Sequence, residues 1–193
     1  MRKTTYLNFL IILIALVSIF ISGCTNDNDN EETTTPTETT APTDPTFDID
    51  EYKDLVSGCV DELSNGSIVL LNVVKYEYTY WNSLNKLSGT FKPDKVVSAA
   101  MNWLEENSNY TEAGIHSQYE DIALMYKEII AFSTEGNEAQ KIFESLDELY
   151  DAYIGLYNMA TSPSGTITNF ASNYDSYYEI VNSCTTKLET LLS

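Results

Sequence analysis

Ser67-Ile68-Val69-Leu70-Leu71-Asn72-Val73-Val74-Lys75-Tyr76-Glu77-Tyr78-Thr79-Tyr80-Trp81 is the stretch on which the fold turns. Taken alone it is rich in β-branched and aromatic residues, and Tyr76 to Tyr80 alternates as a strand would. A lone strand needs a partner, and no other segment of the chain offers a convincing one. The flanks favour a helix. Val56, Val60, Leu63, Leu70, Val74, Tyr78, Trp81 and Leu84 recur at steps of three or four, with Ser67 filling the one gap. The stripe stays in phase across Asn65-Gly66, so one long helix is predicted from Asp48 to Leu87, although an internal glycine costs about 1 kcal/mol.

The segments that follow have clearer punctuation. Pro93 suits a first helical turn, and Val96, Val97, Ala100 and Leu104 carry a short helix to Asn107. Thr111 can cap the next helix, whose apolar face is Ile115, Tyr119, Ile122, Tyr126, Ile129 and Phe132. Asn137 with Gln140 has the spacing of a capping box ahead of Ala139, Ile142, Leu146, Leu149, Tyr153, Leu156 and Ala160. Ser162-Pro163-Ser164-Gly165 reads as a turn. Ile167, Phe170, Tyr174, Tyr177, Val181, Cys184, Leu188 and Leu191 then form a heptad-like stripe. Only Ser108 to Thr111 separates the second and third helices, so the two are expected to run as one broken rod. The predicted fold is all-α: an up-down-up-down helical bundle of four to five helices over residues 48–193.

Ahead of the bundle the composition changes. Residues 25–47 hold nine Thr, three Pro, six acids and no Lys or Arg. Such a segment cannot build a core and is expected to be a disordered, extended linker. Asn26 to Glu31 has the composition of half a calcium loop but lacks its central Gly and terminal Glu. Further toward the start, Arg2 and Lys3 precede an apolar run from Phe9 to Ile21, interrupted only by Ser18. That run is 13 residues, short of the roughly 20 that a spanning helix needs. It ends in Ile21-Ser22-Gly23-Cys24. This layout resembles the signal peptide and lipobox of prokaryotic membrane lipoproteins, bacterial or archaeal. The resemblance covers residues 1–24. It implies a signal peptide over 1–23, lipidation of Cys24 as the first mature residue, and a lipid anchor on the extracytoplasmic face of the cell membrane.

The bundle segment carries eight lysines against 23 acids, a net charge of −15. Arg2 is the chain's one arginine and would leave with the signal. A nucleic-acid partner is therefore not expected, since phosphate binding needs a cationic face. No cofactor or metal site is expected either. His116 is the one histidine, whereas a di-iron bundle needs two Glu-x-x-His pairs. No nucleophile elbow, phosphate loop or zinc motif occurs. His116 and Glu120 lie four apart and read as a surface pair. Acids at the same spacing, such as Glu144 and Glu148, read as a solvated face.

Three groups of residues remain as candidate sites. Cys59 and Cys184 are the even pair left in an exported domain and are candidates for a disulfide between the first and last helices. Asn65 and Asn109 sit in Asn-x-Ser/Thr acceptor triplets for glycosylation. Trp81, Trp103, Tyr76, Tyr80, Tyr157 and Tyr174 are candidate binding residues. The bundle topology should gather them, with Tyr153, in the half distant from the tether, where aromatic side chains could anchor a partner. The expected function is a non-enzymatic surface lipoprotein that binds another protein, the envelope or a small ligand. A ligand-sensing or solute-binding bundle is the first alternative, and an extracytoplasmic enzyme without a recognisable motif is the second.

Overall fold

The computed structural model describes residues 48–88, 91–131 and 136–193, with no side-chain description at 87 and 88. The signal segment, Cys24, the linker and Phe132 lie outside the described residues. Five helices follow one another: α1 (Ile49–Ser88), α2 (Pro93–Asn107), α3 (Glu112–Ile130), α4 (Asn137–Thr161) and α5 (Ile167–Leu192). No strand occurs among the described residues.

The first helix is continuous through Asn65-Gly66 and runs for 40 residues. Asp48 caps it, its Oδ1 accepting from the backbone N–H of Asp50 at 2.9 Å. Its inward line is a nearly regular heptad seam: Tyr52, Val56, Cys59, Leu63, Ser67, Leu70, Val74, Glu77 and Trp81, all buried. The expected stripe departs from this line at two places: Val60, which is buried beside the seam residue Cys59, and Tyr78. Glu77 takes the core position assigned to Tyr78, and Tyr78 is 37% exposed. Steps of three and four are both helical, so hydrophobicity favoured Tyr78, while the phase of the seam required residue 77.

Helix directions follow from side-chain pairings. Lys53 on α1 forms an ion pair with Glu138 at the start of α4, and Gly66 lies against Tyr153 further along. These two helices are therefore parallel. Tyr76 stacks on Trp103 of α2 and Gly58 meets Met125 of α3, so α2 and α3 descend as the broken rod expected of them. Ser64 meets Thr185 and Trp81 meets Phe170, so α5 descends too. Every other helix packs against α1, while α4 and α5 also pack on each other.

The ends are capped mostly as read. Pro93 opens α2, and the Thr111 hydroxyl accepts from the backbone of Gly114 at the start of α3. The capping box does not form. Gly136, with φ of 95°, is the residue before α4, and the Gln140 side chain turns forward to Glu144. A left-handed backbone at that position suits glycine.

Packing decides what each helical glycine of α1 tolerates. A methyl group on Gly66 would come within 2.8 Å of Cε2 of Tyr153, whose ring is buried. On Gly58 it would make an ordinary 3.7 Å contact with Met125. Gly58→Ala is therefore expected to raise stability by about 0.5–1 kcal/mol through helix propensity. Gly66→Ala is expected to lower it by about 1–3 kcal/mol through overpacking. Urea unfolding followed by far-UV circular dichroism reads both.

Candidate functional site

The aromatic candidates do not converge on one place; they divide into four groups. Trp81 is 2% exposed. Phe91 stacks on its ring at 3.7 Å between centroids, and Phe170 meets it edge-on at 5.5 Å. It is a core residue and not a surface anchor. Tyr76, Tyr80 and Trp103 form a second, half-buried row on the outside of α1 and α2. Tyr76 stacks on Trp103 at 5.0 Å and on Tyr80 at 6.3 Å, with planes within 16° and 11°. Tyr174 stands apart on α5, stacked on the exposed Tyr178.

Tyr157 and Tyr153 belong lower down, in the seam between α3 and α4. The expected distal position fails because α4 has 25 residues to the 40 of α1, and so stops short of its far end. Tyr119 stacks on Tyr157 at 4.1 Å, and Tyr126 stacks on Tyr150 at 3.8 Å. The Tyr126 hydroxyl donates a short hydrogen bond to Asp147. Burial, that bond and the charge of Asp147 push the Tyr126 pKa up. Large rings at this interface hold the two backbones apart.

His116 does not pair with Glu120. Its Nδ1 shares a 2.6 Å hydrogen bond with the Tyr157 hydroxyl, and its Nε2 lies 3.9 Å from Glu112, one turn earlier. The negative charge of Glu120 instead helps burial and Tyr119 raise the pKa of Tyr157. Sequence spacing offered Glu112 and Glu120 equally; the ring of Tyr157 across the seam fixes the choice.

Asn65 and Asn109 are both exposed. Asn65 lies within α1 and the hydroxyl-bearing Ser67 of its triplet is buried, whereas Asn109 lies in the connection between α2 and α3.

The disulfide is not formed: Cys59 and Cys184 are free, buried thiols. The pairing of Ser64 with Thr185 explains why. With α1 and α5 antiparallel, Cys184 lies opposite residue 65 or so, roughly 9 Å along the axis from Cys59. Cα atoms that far apart do not bridge. Burial, with Glu62, pushes the Cys59 thiol up to about 12. Burial, with Glu148, raises that of Cys184. Iodoacetamide at pH 8 is expected to label neither thiol in the native chain and both in urea. A Cys59–Cys184 peptide in a non-reducing digest would contradict this.

The residue that periodicity missed is Glu77. It is 0% exposed, and neither carboxyl oxygen has a hydrogen-bond partner. One turn on, Trp81 Nε1 is also buried without a partner. Burial alone pushes the Glu77 pKa from 4.5 up to about 9. The only available signal was a carboxylate on the three-four spacing of an apolar seam.

That shift sets a sign. The unfolded chain loses this proton near pH 4.5, but the folded chain keeps it until about pH 9. Between those values the folded state binds more protons, so stability falls as pH rises. Glu77→Gln is expected to stabilise the protein by about 2–3 kcal/mol at pH 7 and to change little at pH 4. Urea midpoints at the two pH values give the comparison.

Two surface hollows are lined by neither Glu77 nor Trp81. One runs along α5 beside Tyr178, Asn182 and Thr186. Another, between α4 and α5, is lined by Glu144, Asp147, Glu148, Asp151, Tyr177 and Ile180. Among the described residues, no cluster of His, Cys, Asp and Glu has metal-binding geometry, and no helix is long and apolar enough to cross a membrane. The fold and these groups define an acidic all-α bundle with a buried carboxyl in its seam. No family model, curated protein or solved structure matches the chain.

Proposed function

We propose that the protein is a lipid-anchored, extracytoplasmic binding protein without enzymatic activity. Cys24 carries the anchor, residues 25–47 hold the bundle off the membrane, and the far end of α1 meets the partner. One observation carries the binding reading: the half-buried row Tyr80–Tyr76–Trp103 lies toward the end of α1 opposite Ile49, where the linker joins. Rings stacked within 16° of parallel present a pre-ordered amphipathic edge, and ordering is then not a cost of binding. The exposed residues on the same turns combine neutral polar groups, among them Asn72, Thr79, Ser83 and Asn107, with the charged Lys75, Glu105 and Glu106. Such a mixed polar rim around aromatic rings suits a protein or envelope partner.

Two measurements test this. Wild type grown with an alkynyl fatty acid should be labelled and should sediment with membranes. Cys24→Ser should be unlabelled and released; labelling that survives the substitution would refute the anchor. Separately, the immobilised chain should retain a component of isolated envelopes. Trp103→Ala is expected to weaken that retention at least tenfold with unchanged helicity.

A further inference from the structure

A carboxyl group buried with no partner, in a core that is otherwise apolar around it, asks for an explanation. Three features of its surroundings bear on the answer. First, Glu77 and Trp81 are four residues apart on one helix, so their Cβ atoms are roughly 6 Å apart on the same face. Each brings a buried polar atom without a partner: two carboxyl oxygens that accept, and one indole N–H that donates. Second, the Trp81 ring has Phe91 over one face and Phe170 at its edge. Third, Phe91 is only half-buried and belongs to the connection between α1 and α2, not to a helix. Of the two rings that meet Trp81, Phe91 is the one that belongs to no helix.

Among the described residues no charge is paired with Glu77. The charged residues on the adjoining turns of α1, α2 and α5 include Lys75, Lys92, Asp94, Lys95, Glu105, Glu106, Asp175 and Glu179, and all are exposed. Tyr174 on α5 is half-buried and stacked on Tyr178. The core therefore holds an acceptor for a cation and a donor for an oxygen, neither with a partner, beside an aromatic face that Phe91 covers.

We propose that Glu77, Trp81, Phe91 and Phe170 form the closed state of a binding site for a small primary ammonium compound that also carries an oxygen acceptor. In the bound state the ammonium group donates to the Glu77 carboxylate and lies over the Trp81 ring, where Phe91 now sits. The ligand oxygen accepts from Trp81 Nε1. Glu77 gives up its proton to solvent as the cation enters, so charge is conserved in the core and one proton is released per ligand. Phe91 fills the space when no ligand is present and keeps water from the carboxyl. This deepens the binding reading by naming a ligand class, but it is independent of the lipid anchor and of the Tyr80–Tyr76–Trp103 row.

Isothermal titration of the full-length chain in a nonionic detergent tests it, with ethanolamine, n-propylammonium and tetramethylammonium as probes. Ethanolamine is expected to bind, n-propylammonium to bind about tenfold more weakly for want of the oxygen, and tetramethylammonium, which has no N–H, weakest of the three. Measured in two buffers of different ionisation enthalpy, binding of ethanolamine should release close to one proton. Affinity should rise about tenfold per pH unit from pH 6 to pH 8, because the carboxyl must first ionise. Glu77→Gln should lose at least 100-fold in affinity and all of the proton release while gaining stability at pH 7, which separates lost binding from lost folding. Phe91→Ala should bind several-fold more tightly, since no ring has to be displaced. Absence of heat with all three probes, or equal binding by Glu77→Gln, would overturn the proposal. So would weakened binding in a folded Phe91→Ala. Any of these results would leave the membrane and envelope measurements above unaffected.

Discussion

The structure depends on the heptad seam of α1. A helix of 40 residues is roughly 60 Å long, and no helix of that length is stable in water on propensity alone. It persists because α2 and α3 cover one flank while α4 and α5 cover another, so each turn from Tyr52 to Trp81 is buried by something. The converse also holds: α2 and α3 have little besides α1 to pack on. Removing the seam would leave the remaining helices without a common surface.

Two polar residues sit inside that seam, Ser67 and Glu77. Polar residues in a heptad core cost stability and fix register. Ser67 lies just past Gly66, where the ring of Tyr153 approaches the α1 backbone. Glu77 lies near the level at which α4 ends, where three helices, α1, α2 and α5, continue. The cost of a buried carboxyl is accordingly carried at the end that fewest helices hold together. An end of that kind opens most readily, which is the property a ligand site inside a bundle needs.

Much of this architecture was legible in the sequence. The three-four recurrence from Val56 to Leu84 decided helix over strand, and Pro93, Thr111 and the Ser162–Gly165 turn placed the connections because each acts through local chemistry. What was not legible depended on heights along the bundle. Cys59 and Cys184, and likewise Trp81 and Tyr157, were placed by counting residues from the ends. The true levels are set by Lys53 with Glu138 and by Ser64 with Thr185, pairings that no periodicity reveals. Glu77 was passed over because Tyr78 beside it is more hydrophobic at an equally helical step. The partner of His116 was missed for a related reason: Glu112 and Glu120 are equivalent by spacing, and only Tyr157 on another helix distinguishes them.

The central claim is that α1 is one uninterrupted helix on which everything else is assembled. Native-state hydrogen exchange of the full-length chain tests it most directly. If the claim is right, amides from Val56 to Trp81 exchange only through global unfolding, with no gap at Asn65-Gly66-Ser67, and are the most protected in the chain. Fast exchange at residues 65–68 between two protected flanks, or protection of 67–81 in an alternating, strand-like pattern, would contradict it.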